Sequence, residues 1–316
     1  METLFKSIFS VEAFGTILRV STPLIFAALA ALISKKAGVL CIAFESVMLF
    51  AALGGVVFSA LTQNVWVGAL LGILCGTLIS ALFAYCVLVI KSHLILTGLA
   101  LNILGSGGTV LIMYLICGDK GVSSSLKSLL IPNINIPILK NIPVLGELLS
   151  GHNLMTYLAF LSVISIYIFM FKMPLGLRIR SVGENPQAAQ SVGISVVKTQ
   201  FTALIIAGVV ASMGGVYMAM GYLPFFSRNM MAGRGFIGIA AQNLGGGSPI
   251  GTMIACVGFG FADALSNILQ SLQLPAEFMQ MLPYVATLLA LVVYGDGKSK
   301  SKPRKATKLK VKGMES

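Results

Sequence analysis

Long apolar segments separated by short polar ones occupy almost the whole chain. Stretches near the roughly 20 apolar residues that a membrane span needs are predicted at eight places: about 15–34, 38–60, 65–90, 94–117, 154–171, 200–222, 250–272 and 278–295. The pattern predicts an all-α polytopic membrane protein of about eight transmembrane helices.

One further apolar segment, 233–247, is too short to cross a membrane and is rich in glycine at both ends. We expect a half-helix or re-entrant segment packed against protein, because lipid does not tolerate exposed backbone. The stretch 38–60 is a second candidate for a broken helix, since it opens with Gly38 and has Glu45 in its middle.

Composition supports the same class. Of the 316 residues, 57% are hydrophobic and 10% are charged, whereas a soluble domain has about 25% charged residues. A water-soluble fold of this length would need far more polar surface. The cysteines lie in or at the end of apolar stretches, without metal or redox spacing, and are expected to be small buried side chains: Cys41, Cys75, Cys86, Cys117 and Cys256.

The formal charge of +12 is unevenly placed, because eight of the 22 basic residues lie in the terminal stretch 298–316. The positive-inside rule predicts that this basic tail is cytoplasmic, where it can also contact anionic lipid. The same rule places the loop 172–198 on the cytoplasmic side and the loop 118–152 outside. The predicted organisation is a transmembrane domain, 1–297, followed by the tail.

Two parts of the chain can be aligned with each other. "VGALLGILCGTLISAL" (67–82) matches "IGTMIACVGFGFADAL" (250–265), with Gly68 on Gly251. Upstream, Ala37-Gly38 resembles Ala232-Gly233. The matches are few, so an internal two-fold repeat and a chance similarity both stay open. Transporters are often built from such repeats.

Five polar residues fall at predicted membrane depth: Glu45, Asn102, Gln242, Asn243 and Asp263. A charge at the bilayer centre costs at least about 2.5 kcal/mol on insertion scales, so the two acids are expected to face protein or a watery cavity. They are candidates for a substrate path or a proton relay. The alternative is a structural hydrogen bond to a neighbouring helix end. For Asn102, a role in joining helices is favoured.

The stretch "GLRIRSVGENPQAAQSVGI" (176–194) is polar and lies between two predicted spans. Asn185 is suited to cap a helix, Pro186 to its first turn and Gly193 to its end. Glu184 lies at the positive end, and Arg178 and Arg180 flank the stretch. A solvated linker that happens to be helical is one interpretation. A rigid helix that another protein binds is favoured, since a flexible linker needs no cap.

Several chemistries are not indicated. There is no GxxxxGK[ST] stretch to hold phosphates, no HExxH, no triad and no metal-ligand cluster. We therefore expect no catalytic residues, no metal and no cofactor in this chain. If nucleotide hydrolysis drives the protein, it must reside on a partner chain.

The motifs as a set resemble those of the permease subunits of ABC importers, in the group that takes up branched-chain amino acids, ribose-type sugars and nucleosides. The chain is most similar to the nucleoside and simple-sugar type. Besides 176–194, the resemblance rests on "AGRGFIGIAAQNLGGGSPIG" (232–251), "FGFADAL" (259–265), "IPILKNIPVLGELLSGHNLMTYLAFL" (136–161) and the weaker "GVLCIAFESVMLFAA" (38–52).

The resemblance implies that the stretch 176–194 is a coupling element held in a groove of a separate ATPase subunit, which binds the ATP. The implied partners also include a second permease subunit, an extracytoplasmic solute-binding lipoprotein and membrane lipid. The family's coupling positions carry over to Gly183, Glu184, Asn185, Pro186, Ala188, Ala189 and Gly193. The first-half motif departs from the family, since bulkier residues occupy 41–46 and would narrow a substrate path.

The resulting expectation is alternating access in a bacterial cell membrane, driven by the partner's ATP. Nucleoside is the first expected solute and simple sugar the next. Two alternatives stay open: a proton-coupled secondary transporter that uses Glu45 or Asp263, and an ABC permease for branched-chain amino acids.

Overall fold

The computed structural model describes residues 11–123, 126, 128–134 and 151–270. The predicted span 278–295 and the basic tail 298–316 lie outside this part, and so does most of the second half of the loop 118–152. The described helices are α1 (Val11–Lys36), α2 (Phe44–Thr62), α3 (Val65–Leu88), α4 (Leu94–Cys117), α5 (Leu154–Lys172), α6 (Pro174–Glu184), α7 (Pro186–Ser191), α8 (Val196–Tyr217), α9 (Arg234–Leu244) and α10 (Pro249–Gln270). A π-helical turn, Met218–Tyr222, extends α8.

Seven helices in the described part are long and apolar enough to cross a membrane. They coincide with the seven predicted spans that fall there, which confirms the all-α polytopic class. The only strands in the described residues are two-residue pieces, β1 (Asn133–Ile134) and β2 (His152–Asn153), which pair antiparallel with Asn133 opposite Asn153.

The core is built around α1 and α2. In the most apolar 18-residue stretch of α1, 83% of the residues are buried. Helix α1 packs against α8, α9 and α10. The corresponding share for α4 is 22%, and for α5 it is 33%. Helices α4 and α5 therefore lie at the periphery and expose apolar faces suited to lipid or to another subunit.

The segment 233–247 forms the short helix α9, as predicted. Its 11 residues extend about 16 Å at 1.5 Å per residue, roughly half of the 30 Å hydrocarbon core. Gly233 enters the helix in the left-handed conformation with φ +80°, and Gly245 ends it. Because α9 packs on α1, α2 and α10, its backbone is covered by protein.

The start of α2 differs from the prediction. Residues 37–43 are not helical, and Gly38 adopts φ +81°, so the helix begins only at Phe44. Glu45 therefore lies in the first turn of α2 rather than in the middle of a span. The prediction of a broken segment is right, but the break precedes Glu45.

The two ends of the helix bundle differ in structure and charge. At one end, the loop that follows α4 pairs with the segment after α8: Ser123 N donates to Phe226 O at 2.9 Å, and Ile131 N donates to Met220 O at 2.8 Å. We call this the loop end. The opposite end, which we call the basic end, contains α6 and α7 and carries Lys35, Lys36, Lys91, Lys172, Arg178, Arg180 and Lys198.

The proposed repeat has local support. Gly38 and Gly233 adopt nearly the same φ, +81° and +80°. Gly68 in α3 packs against Ser59 near the end of α2, and Gly251 in α10 packs against Gly245 at the end of α9. The aligned glycines thus serve the same packing purpose, and the two-fold repeat itself stays a prediction.

Candidate functional site

The short helix α7 is capped as the sequence predicts. The Asn185 side chain accepts a hydrogen bond of 3.1 Å from the Ala188 amide, Pro186 occupies the first turn, and Gly193 follows the helix with φ +84°. Five of the six helical residues are exposed, and only Ala189 is buried. Helix α7 is thus a capped helix that projects into solvent at the basic end.

Helix α6 anchors this projection. The sequence indicated only a polar loop with Arg178 and Arg180 at its side, but both arginines lie inside α6. The pattern of Gly176, Ile179 and Val182 gives α6 a buried face. Because that face packs on α5 and α8, α6 holds α7 against the spans.

Arg180 bridges the two faces of α6. Its guanidinium lies 4.5 Å from the Phe171 ring centroid, a cation–π distance. It also lies 4.0 Å from the exposed Glu184 carboxylate, one turn on. Glu184 is the last residue of α6 and directly precedes Asn185, the cap of α7, so it lies at the N-terminal end of α7 as predicted.

Backbone contact joins the end of α6 to the end of α1. The Gly183 Cα lies close to Gly38, and a side chain at Gly183 would collide with the Lys36 carbonyl. Gln200 of α8 donates to Ala37 O at 3.1 Å. The end of α6 is therefore in direct contact with the turn between α1 and α2.

Glu45 joins the two broken segments. Its carboxylate accepts hydrogen bonds of 2.8 Å from the amides of both Gly233 and Gly235, in the first turn of α9. A carboxylate at a helix N-terminus satisfies orphan amides and complements the helix dipole. The side chain of the first turn of α2 thus caps the first turn of α9.

Asp263 pairs with an arginine that the sequence reasoning did not single out. Arg234 Nη2 lies 3.4 Å from Asp263 Oδ2, and Arg234 also donates to the carbonyls of Met230 and Met231. Glu45 and Asp263 therefore meet around the start of α9. Arg234 was recognisable as the only cation in the segment 233–247.

Asn102 joins helices, the role favoured from the sequence. Its Oδ1 accepts from Ser46 N at 3.1 Å, and its Nδ2 donates to Ile42 O at 3.0 Å. Both contacts belong to the entry into α2, so an amide from α4 caps the broken helix. Both polar ends of the side chain are occupied in this way.

Gln242 and Asn243 lie apart from the two acids. Gln242 lies seven positions after Gly235, about 10 Å along the helix. The side chains of Gln242 and Asn243 line a cavity of about 270 Å³ at the basic end, together with Lys36, Arg180 and Glu184. Asn243 Oδ1 accepts from Lys35. The predicted substrate-path residues thus form two groups, at opposite ends of α9.

Comparison with known proteins identifies the family. Residues 13–291 match the family described as the permease component of the branched-chain amino acid transport system. The nucleoside ABC transporter permease protein NupC of Lactococcus lactis subsp. cremoris (strain MG1363) is 32% identical over 285 residues, which are 87% of this chain and 89% of NupC.

Two further relatives align over similar lengths. The guanosine ABC transporter permease protein NupQ of Bacillus subtilis (strain 168) is 34% identical, covering 86% of this chain and 88% of NupQ. The putative glucose ABC transporter permease protein TsgC13 of Haloferax volcanii is 33% identical, covering 85% of this chain and 81% of TsgC13.

The fold is also similar to a solved transporter structure. A chain of PsaBC from Streptococcus pneumoniae in complex with Fab superposes with a TM-score of 0.50 at 12% identity, covering 92% of this chain and 95% of that chain. At this identity the likeness concerns the fold alone. The family match and the aligned relatives lead to one conclusion: this chain belongs to the family of ABC transporter permease components, and it is a multi-pass membrane subunit for transport rather than an enzyme.

Proposed function

We propose that this chain is one permease half of an importer for nucleosides, and that α7 is the element through which the partner ATPase moves it. The observation that carries this proposal is the construction of α7. Its capped helix projects into solvent, and α6 ties it by backbone contact to the turn between α1 and α2. A linker needs neither feature.

The basic end faces the cytoplasm in this proposal. It carries seven of the described lysines and arginines, whereas the loop end carries Arg19, Lys120 and Arg228. The positive-inside rule favours this orientation. It places α7 where an ATPase subunit can reach it, and it places the loop 118–152 where an extracytoplasmic solute-binding lipoprotein can dock.

Movement passes from α7 to the centre of the bundle through packed elements. A shift of α6 displaces Gly38 and the end of α1, which packs along α9. Helix α9 extends from the basic end to Glu45. A tilt of α9 therefore displaces the contact between its first turn and the first turn of α2. ATP drives the change only if the ATPase binds α7 differently in its two states.

A second permease subunit completes the path. Midway along α4, Ser106 and Gly107 are exposed, and a side chain at Gly107 would meet nothing within 4 Å. Exposed polar and small residues at this depth favour contact with protein or a watery path over contact with lipid. We place the solute path between this face and the second subunit, which can be a related but different chain.

The paired charges support a solute without net charge. Glu45 is held by two amides, and Arg234 is paired with Asp263. At this depth the described residues therefore present no unpaired charge to a charged amino acid. The relatives NupC and NupQ are named for nucleosides and guanosine. Nucleoside is therefore the first proposed solute, and the relative named for glucose makes simple sugar the second.

The hydrogen bonds of Glu45 also bear on the alternative of proton coupling. Each carboxylate oxygen of Glu45 accepts a hydrogen bond from a backbone amide, so a proton on either oxygen would weaken the bond to that oxygen. A proton carrier must release and rebind its proton in each cycle, which would break these bonds. The geometry thus favours the structural role for Glu45.

Uptake by proteoliposomes that contain the complete transporter tests the proposal. We expect labelled guanosine or uridine to accumulate only when ATP is enclosed in the lumen, where it reaches the transporters whose ATPase faces inward, and to be unaffected by a protonophore. Unlabelled nucleosides should compete, and leucine should not. Competition by glucose alone would shift the proposal to sugars. Uptake that persists without ATP and stops with the protonophore would refute it.

A further inference from the structure

The cavity at the basic end is lined in part by predicted coupling residues, Arg180, Gly183 and Glu184, but the proposed solute path runs elsewhere, along the exposed face of α4. The cavity measures about 270 Å³ and lies between the end of α1, the end of α6 and the turn from α9 to α10. This volume is close to the lower limit of about 300 Å³ for small-molecule pockets. The space is therefore suited to a group the size of a lipid headgroup or a small metabolite.

The cavity is positively charged. Lys35, Lys36 and Arg180 line it, against a single acid, Glu184. The Glu184 side chain is 77% exposed, so water screens much of its charge. The Lys36 ammonium lies beside Gly247, where an added side-chain carbon would come within 3.2 Å of Nζ. Because Gly247 has no side chain, the Lys36 ammonium has room beside the cavity. Its positive charge favours binding of an anion there.

Two buried polar atoms in the lining lack partners among the described residues. Gln242 is 1% exposed, and its Oε1 accepts no hydrogen bond there. The Arg180 Nε is likewise buried without an acceptor. Buried polar groups are almost always hydrogen-bonded. These atoms indicate a ligand that combines an acceptor for Arg180 with a donor for Gln242.

We propose that this cavity binds a phosphate ester that also carries a hydroxyl group. The phosphate lies between Lys36 and Arg180, and the hydroxyl donates to Gln242 Oε1. Arginine and lysine together are a common phosphate-binding set. Basic pockets between helix ends at a membrane surface take up anionic headgroups. The same chemistry occurs in the phosphatidylglycerol headgroup and in soluble glycerol phosphate.

Thermal unfolding of the purified full-length chain separates these two sources. A ligand of the native state raises the unfolding temperature as its concentration increases. Short-chain dihexanoyl-phosphatidylglycerol and sn-glycerol 3-phosphate are titrated separately, with dihexanoyl-phosphatidylcholine as the control without a hydroxyl donor. Saturable stabilisation by the glycerol lipid alone identifies a lipid site. Equal stabilisation by glycerol phosphate identifies a soluble ligand. No saturable effect of either overturns the proposal.

Substitutions in the lining locate the effect. Lys36→Gln and Gln242→Leu should each weaken binding about tenfold, the usual effect of losing a hydrogen bond to a charged or buried group. Lys36→Arg should retain binding. Lys198→Gln removes one cation from the same end outside the cavity and should leave binding unchanged. If Lys198→Gln weakens binding as much as Lys36→Gln, or if Lys36→Gln has no effect, the site is not this cavity.

Gln242→Leu has a second readout that does not depend on ligand. Because it replaces a buried acceptor that lacks a partner, the unliganded variant should unfold at or above the temperature of the unsubstituted chain. Should this variant fail to fold, the comparison of Lys36→Gln, Lys36→Arg and Lys198→Gln still decides the proposal.

Discussion

Glu45 Oε2 and the backbone amide of Gly235 lie 2.8 Å apart, and their hydrogen bond joins the first turn of α2 to the first turn of α9. The second carboxylate oxygen binds the Gly233 amide in the same way. Two broken segments thus meet at one acidic side chain.

Substitution of Glu45 separates the structural role from a proton-carrying role. In Glu45→Gln, one side-chain oxygen still accepts a hydrogen bond, but the NH₂ group that replaces the other oxygen faces a backbone N–H, which is also a donor. The free energy of unfolding should therefore fall by about 1–3 kcal/mol. ATP-driven uptake should fall but remain. Thermal unfolding and uptake measure the two effects. A variant with unchanged stability and no uptake would favour the proton carrier.

The approach of α9 to α2 requires a glycine at 235. A side-chain carbon there would come within 2.6 Å of the Glu45 amide nitrogen, so Gly235→Ala should destabilise by about 1–3 kcal/mol. Gly107→Ala is the matched control, since no atom lies within 4 Å of the added carbon. The control should be neutral or stabilising by up to about 1 kcal/mol. Equal unfolding temperatures for both variants would contradict the close contact.

The pairing of Arg234 with Asp263 predicts that their contributions are coupled. Arg234→Gln and Asp263→Asn should each destabilise the chain, and the double variant should lose less than the sum of the two. Since the side chains are 18% and 25% exposed, we expect a coupling energy of about 0.5–2 kcal/mol. Chemical denaturation of the four proteins measures it. Strict additivity would mean that the 3.4 Å contact carries no energy.

The cap of α7 predicts a defect in coupling without global unfolding. Asn185→Ala removes an N-cap worth about 1 kcal/mol from a six-residue helix that is mostly exposed. The unfolding temperature should hardly change, while solute moved per ATP hydrolysed should fall. Asn185→Ser restores a capping oxygen and should restore this ratio. Equal ratios for the alanine and serine variants would show that the cap is irrelevant.

Local signals made part of this structure predictable. The cap at Asn185, the proline at 186 and the glycine at 193 act within one helix, so their order along the chain was sufficient. The spans followed from the length of apolar segments, and the shortness of 233–247 predicted a helix that cannot cross the membrane.

The site at the centre depends on contacts between distant parts of the chain, and these were not predictable. The amides that bind Glu45 lie 188 and 190 residues away in sequence. A polar residue in an apolar segment indicates that a partner exists without identifying it. Arg234 was overlooked for the same reason, because its significance depends on Asp263 on the next helix. The helical character of α6 was hidden by its glycines and charges.

Photo-crosslinking from α7 tests the central claim most directly. A photoreactive amino acid replaces Gln187, which is exposed on α7, and for comparison Leu61, which is exposed toward the loop end. In membranes that contain the complete transporter, position 187 should form an adduct with the ATP-hydrolysing subunit and position 61 should not. A transport-competent variant that yields no such adduct from position 187 would contradict the account.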